Sequence, residues 1–163
     1  MVKLIGILHD IRSVHNVGSI FRTADGAGFE KLYLCGITPT PVDRFKKVRP
    51  DFAKVALGAE KSVPWESVPD IIVLIRKLKK EGWKILALEQ SKKSISLMSP
   101  KLDTLQDIEL QRCALIVGAE VDGIPSDVLK LADVIIEIPM FGKKESLNVS
   151  VAFGIAAYKL KFL

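Results

Sequence analysis

Two short apolar runs near the C-terminus, Cys113 to Val117 and Val134 to Ile138, constrain this chain most. Both are rich in β-branched residues, bounded by turn formers and too short for a buried helix, so they read as buried strands. Each leads into a tight loop, and a long apolar helix follows the second. Lys3 to Leu8, Lys31 to Cys35 and Lys84 to Leu88 read as further strands. Helical patterns separate them. Asn16 is a good N-cap for a helix that buries Val17, Ile20, Phe21, Ala24 and Ala27 and closes at Gly28. Val68 to Lys80 is amphipathic and ends at Gly82. Another helix begins near Pro125, at a first-turn position, and the last starts at Ser146. The pattern weakens from Gly36 to Glu60, and Ser91 to Gln111 is polar, with room for one short strand or turn. This alternation implies an α/β domain with a mainly parallel sheet and helices on both faces.

A length of 163 residues suits one domain, spanning 1–163. The net charge of +5 favours an anionic partner, nucleic acid being the commonest. The two cysteines, Cys35 and Cys113, sit in apolar runs and read as buried thiols of a reducing compartment. No run approaches the ~18 apolar residues of a membrane span, and the first residues lack the core of a signal peptide. A soluble, cytoplasmic protein is expected.

Loops at the carboxyl ends of parallel strands are where ligands sit in such sheets. Gly118-Ala-Glu-Val-Asp-Gly123 is one, with two glycines that permit close backbone approach and Glu120 to fix an orientation. It is not a dinucleotide fingerprint. A second loop joins Ile138-Pro139-Met140 to Ser146-Leu147-Asn148, where Ser146 is a plausible cap. Asn148 and Ser150 open an otherwise apolar helix and need partners, which a ligand could supply. Near the N-terminus, Arg22 lies back along its helix over Gly18, where no side chain obstructs it, toward Asn16. A guanidinium there suits an oxyanion or phosphate; a cap with a surface arginine is the plainer alternative. The final helix is apolar around much of its circumference and suits burial by a second subunit. His9 and His15 have no metal-ligand spacing around them, so no metal is expected. Arg44, Lys46, Lys47 and Arg49 form a basic loop that is either a solvated face or an RNA contact.

Taken in order, Asn16-x-Gly18-x-x-x-Arg22, Gly118-x-Glu120-x-x-Gly123, and Ile138-Pro139-Met140 with Ser146-Leu147-Asn148-Val149-Ser150 resemble the three motifs of the SpoU/TrmH RNA 2′-O-ribose methyltransferases, of the SPOUT class. The resemblance spans nearly the whole chain. It implies a C-terminal deep trefoil knot, a homodimer with the active site near the interface, and S-adenosyl-L-methionine as cofactor. Cofactor contacts would fall on Leu88, Gly118, Glu120, Gly123, Ile138, Met140, Ser146 and Leu147. The catalytic set would be Arg22, Asn16, Glu120 and Asn148, with RNA (tRNA slightly favoured over rRNA) held by Arg22, Arg44, Lys46, Lys47 and Arg49. Arg22 matches an arginine proposed as the family's base, yet a guanidinium with pKa above ~12 is a poor proton acceptor. It suits phosphate binding and oxyanion stabilisation better. The proline often found before the first asparagine is absent here. Only three residues follow Leu160, so a minimal catalytic domain is expected, with RNA selected by the dimer surface or a partner. A non-catalytic SPOUT-like RNA-binding module is the alternative.

Overall fold

A strand with apolar side chains on both of its faces must lie in a sheet that is covered on both sides. β1 (Lys3–His9) is such a strand: every residue after Lys3 is buried. Leu4 and Leu8 join one hydrophobic cluster, while Ile5 and Ile7 join another on the opposite face. The computed structural model describes residues 2–103 and 111–163. From β1 the chain passes through α1 (Val14–Gly26), β2 (Lys31–Cys35), α2 (Pro50–Ala56), α3 (Ala59–Ser62), β3 (Trp65–Val68), α4 (Ile71–Lys80) and β4 (Lys84–Leu88). It then continues through β5 (Ile95–Ser96), α5 (Pro100–Asp103), β6 (Arg112–Val117), α6 (Ser126–Leu129), β7 (Val134–Glu137) and α7 (Val149–Lys161).

The seven strands form one sheet in the order β3-β2-β1-β6-β4-β7-β5. Every pairing is parallel, so all carboxyl ends share one edge. α1, α2, α3 and α7 cover one face, with Phe21, Phe52 and Phe153 fully buried. α4 and α6 cover the other through Leu74, Ile75, Leu78 and Val128. α7 comes down on the sheet where β1 has no side chain. A Cβ at Gly6 would lie 2.5 Å from Leu32 and 3.5 Å from the ring of Phe153, and that ring meets Phe29 at 5.1 Å.

The capping details differ from the expected ones. Ser13, not Asn16, caps α1, its hydroxyl accepting from the Asn16 N–H at 3.2 Å. Asn16 therefore lies inside the first turn with its amide free for other work. At α7 the cap is Asn148, not Ser146; its carbonyl oxygen accepts from Ser150 N at 2.9 Å. Pro125 is likewise the cap of α6, one residue ahead of the first turn. The helix expected from Val68 begins at Ile71, because Asp70 caps it through Ile72 N and Val73 N, and Val68 instead ends β3. β3 is an edge strand whose Glu66 and Ser67 are exposed, so no apolar alternation advertises it. α2 and α3, of 7 and 4 residues, are too short for helical periodicity to show. β5 is the short strand for which the polar stretch left room; the part of that stretch at 104–110 lies outside the described residues.

Because Phe153 fills the space over Gly6, Phe153→Ala should lower unfolding free energy by about 3–5 kcal/mol. Urea denaturation followed by circular dichroism measures this. A change within experimental error would mean that α7 does not depend on this contact.

Candidate active site

The loops that leave the carboxyl ends of β4, β6 and β7 come together because those strands are adjacent. They enclose a cavity of about 370 Å³, within the usual range of small-molecule sites. Leu88, Gly118, Glu120, Gly123, Ile138, Met140, Ser146 and Leu147 all line it, and so does Asn148. The structure thus gathers every residue expected around a cofactor. The glycines act differently from expectation, because the backbone they admit is the protein's own. A Cβ at Gly118 would lie 2.5 Å from the Gly123 carbonyl. Gly123 has φ +66°, and a Cβ there would collide with the Glu89 carboxylate. Its N–H donates to Ala119 O at 3.0 Å, closing the loop on itself.

Several lining residues escaped the sequence reading, Glu137 and Glu145 among them, and two of these, Glu89 and Gln90, join the loops. Glu89 accepts from Ile124 N and Gln90 N, both at 2.9 Å. Gln90 Nε2 donates to Glu145 O at 2.6 Å. Together they tie the first loop to the other two. An acidic residue and an amide directly after a buried strand were the available signal. The cavity wall combines apolar Leu88, Ile138, Met140 and Leu147 with the glutamates Glu89, Glu120, Glu137 and Glu145, and among the described residues no lysine or arginine lines it.

At the edge of the cavity, three residues distant in sequence form one network. Asn16 Nδ2 donates to Glu120 Oε1 at 3.0 Å, and Asn148 Nδ2 donates to Asn16 Oδ1 at 3.1 Å. Glu120 also accepts from Ser13 N and Arg12 N, both at 3.1 Å. The partners that Asn148 and Ser150 need are therefore protein groups: Asn16, and each other, with Ser150 Oγ donating to Asn148 Oδ1 at 2.6 Å. Burial works to raise the Glu120 pKa. The hydrogen bond from Asn16 and those from backbone N–H groups outweigh it and hold the carboxyl below its ordinary value. Glu120 is thus an ionised acceptor with its oxygens committed, unsuited to a base role.

Arg22 stands apart. It is exposed, makes no ion pair among the described residues, and does not line the cavity. Six residues along α1 place it roughly 9 Å from the level of Asn16. Gly18 does not clear a path for it, because a Cβ there would meet Val55 Cβ at 3.0 Å and Phe52 O at 3.3 Å; this glycine serves the packing of α2 on α1. Arg44, Lys46 and Lys47 are exposed in the loop after β2, and Arg49 pairs with Asp51 at 3.2 Å. Cys35 and Cys113 are fully buried. Burial pushes both thiols up to about 12, with the charges of Asp10, Asp70 and Glu66 adding at Cys35, so neither is a nucleophile. No helix among the described residues is long and apolar enough to cross a membrane.

A parallel sheet with a three-loop pocket, and an asparagine–carboxylate network at its edge, define an α/β protein with a small-molecule-sized site at the carboxyl ends of its strands. The model of the SpoU rRNA Methylase family matches residues 3–158, and the chain belongs to that family. It is 32% identical over 154 residues to the 23S rRNA (guanosine-2'-O-)-methyltransferase RlmB of Escherichia coli, covering 94% of this chain and 57% of that protein. The corresponding enzyme of Ralstonia nicotianae is 31% identical over 157 residues, covering 96% and 57%. The chain thus spans little more than half the length of these curated relatives. The crystal structure of a TrmH/SpoU tRNA modifying enzyme from A. aeolicus superposes with a TM-score of 0.79 at 28% identity, covering 99% of this chain and 75% of that one.

Glu120→Gln should destabilise the fold in a pH-dependent way. The folded-state pKa lies below the ordinary 4.5, so ionised Glu120 favours the folded state above that value. This contribution disappears as pH falls through the folded-state pKa. The Tm gap between wild type and Glu120→Gln should therefore be constant at neutral pH and close in acid. A gap independent of pH would show that the charge of Glu120 contributes nothing.

Proposed function

We propose that this chain transfers a methyl group from S-adenosyl-L-methionine to the 2′-oxygen of a ribose in RNA. The observation that carries the reading is the wall of the cavity. Four glutamates and, among the described residues, no lysine or arginine favour a ligand of net positive charge, one with sulfonium and ammonium groups against a single carboxylate, and disfavour the phosphates of ATP or NAD. The apolar surface of Leu88, Ile138, Met140 and Leu147 suits an adenine ring. Backbone groups at Gly118, Gly123 and Ser146 supply polar contacts. When bound, the cofactor supplies an electrophilic methyl carbon.

The residues of the chain then have to deliver and orient the attacking oxygen, since positioning is what such a displacement needs most. Asn16 and Asn148 hold the ribose at the cavity edge, and Glu120 fixes the two amides in register. Arg22 binds the adjacent phosphate and stabilises charge that develops on the oxygen, while water or phosphate takes the proton. Because Arg22 lies outside the cavity wall of its own protomer, its place in the site depends on how the RNA and a second subunit approach. The outward side of the last helix supports a homodimer: Val151 and Tyr158, with Phe162 at the C-cap, are 51%, 49% and 80% exposed. The trefoil knot of the resemblance would be formed by the same three loops, which Glu89 and Gln90 tie together. On this reading residues 1–163 form a single SPOUT domain working in the cytoplasm. The RNA-contacting set is Arg22 with the basic loop at Arg44, Lys46, Lys47 and Arg49. The two curated relatives named above are 23S rRNA methyltransferases and the A. aeolicus structure is of a tRNA modifying enzyme, so a preference for tRNA is not supported and the RNA class is left to experiment.

The test is methyl transfer from labelled S-adenosyl-L-methionine to bulk rRNA and, separately, tRNA, followed by nucleoside analysis. Calorimetric binding of the cofactor, ATP and NAD runs beside it. A 2′-O-methyl nucleoside should form, with S-adenosyl-L-methionine alone bound. Arg22→Ala should lower the rate on the order of 100-fold with cofactor affinity unchanged. Arg22→Lys should rescue little of it, since an ammonium lacks the planar fork. Cofactor and RNA binding without transfer would favour the RNA-binding module, and no cofactor binding would overturn the proposal.

A further inference from the structure

The loop after β2 is a built finger rather than a loose basic tail. At its base, Asp10 Oδ1 accepts from Ile37 N at 3.0 Å. The buried Thr38 hydroxyl lies 3.0 Å from Leu8 O and 2.8 Å from Cys35 O. Val42 and Val48 pair as an antiparallel bridge, and Arg49 N donates to Pro41 O at 2.9 Å. The turn is closed by Asp43, whose Oδ1 accepts from Phe45 N at 2.8 Å and Lys47 N at 3.0 Å. Asp43 N also donates to Lys47 O at 2.8 Å. Lys46 sits in the left-handed region at φ +61°, a conformation that costs a lysine energy. The finger therefore presents its tip in one ordered shape.

That tip combines three cations with one aromatic ring. Arg44, Lys46 and Lys47 are exposed and make no ion pair among the described residues. Phe45 is 66% exposed, and the Arg44 guanidinium lies over its ring at 4.8 Å. Asp43 is the sole carboxylate from Pro41 to Pro50, and its Oδ1 is committed to the turn. An exposed phenylalanine beside unpaired cations matches a polyanion that also offers flat apolar faces. Single-stranded RNA does so; in a duplex the base faces are already stacked and only phosphate and sugar remain. The finger leaves the carboxyl end of β2, so it stands on the sheet edge that also carries the cavity.

We propose that Phe45, braced by Arg44 and the Asp43 turn, is a stacking platform for an unpaired base, and that the finger directs the enzyme to single-stranded or loop segments of RNA. This rests on the RNA-modifying reading above and deepens it. Arg44, Lys46 and Lys47 hold the flanking phosphates. Phe45 adds a contact that only an unstacked base can make.

The probe is a fluorescein-labelled oligoribonucleotide of mixed sequence, about 12 nucleotides long, alone and annealed to its complement. Binding is followed by anisotropy across a salt series. Phe45→Ala and Phe45→Leu should each weaken single-strand binding about tenfold and leave duplex binding unchanged. Phe45→Trp should restore affinity, and the added indole emission should be quenched by the single strand. Lys46→Ala and Lys47→Ala should each reduce the salt slope by about 0.7, whereas the Phe45 variants leave it alone. Wild-type affinity in Phe45→Leu, or an equal loss on the duplex, would overturn the platform. Cofactor binding measured on the same samples separates the two readings. If cofactor binds and single-strand affinity ignores Phe45, the finger proposal fails alone. If no cofactor binds, the methyltransferase reading fails whatever the finger does.

Discussion

Glu120 ties together parts of the chain that are far apart in sequence. Its oxygens accept from the backbone at Arg12 and Ser13 and from the Asn16 amide, more than 100 positions earlier. Asn16 in turn accepts from Asn148, the cap of α7. One ionised carboxylate therefore sets the start of α1, the loop after β6 and the start of α7 relative to one another. The network depends on the charge. A neutral acid would present a donor where two backbone N–H groups already point at the oxygens.

The arrangement is possible because of the order of the strands. β6 inserts between β1 and β4 although it follows both in sequence. This puts the loop carrying Glu120 next to the loop that follows β1, and both beside the loops after β4 and β7. With every pairing parallel, all four loops emerge at one edge. Hydrophobic burial on two faces fixes the register of β1, so the positions of the loops follow from core packing, not from the polar groups at the site. Those groups then need only short-range adjustments: the Glu89 latch, the Gly118–Gly123 closure and the Asn16–Asn148 bond.

Much of this was legible in the residues, and the failures have a physical pattern. Buried strands announce themselves by β-branched runs, so β1, β2, β4, β6 and β7 were readable to within a residue or so. β3 was not, because an edge strand with Glu66 and Ser67 facing solvent shows no apolar alternation. The caps were misassigned for a related reason. Ser13 and Asn16 are both good capping residues three positions apart, as are Ser146 and Asn148 at near spacing, and local preference cannot choose between them. Only the distant partner does: Asn16 is drawn into the first turn by Glu120, which leaves Ser13 to cap. Glu89 and Gln90 carried only a weak signal for the same reason, since what they bridge lies 35 and 55 positions further along the chain. The motif residues around the cavity were readable as a set because their order along the chain resembles a known family, not because spacing placed them together.

The distribution of charge bears on how such a site could work. The chain as a whole carries +5, yet the cavity wall is acidic, and the unpaired cations Arg22, Arg44, Lys46 and Lys47 lie outside it. Exposed charges more than a Debye length apart, ~8 Å at physiological salt, are largely screened from one another. On the proposed function, a phosphate backbone would be attracted to the basic surface and repelled from the acidic cavity. A nucleotide held this way would offer an uncharged part of itself to the cavity edge, where the neutral amides of Asn16 and Asn148 stand. Segregation of charge would then do part of the work of orientation, favouring a ribose hydroxyl at the edge over the phosphates on either side of it.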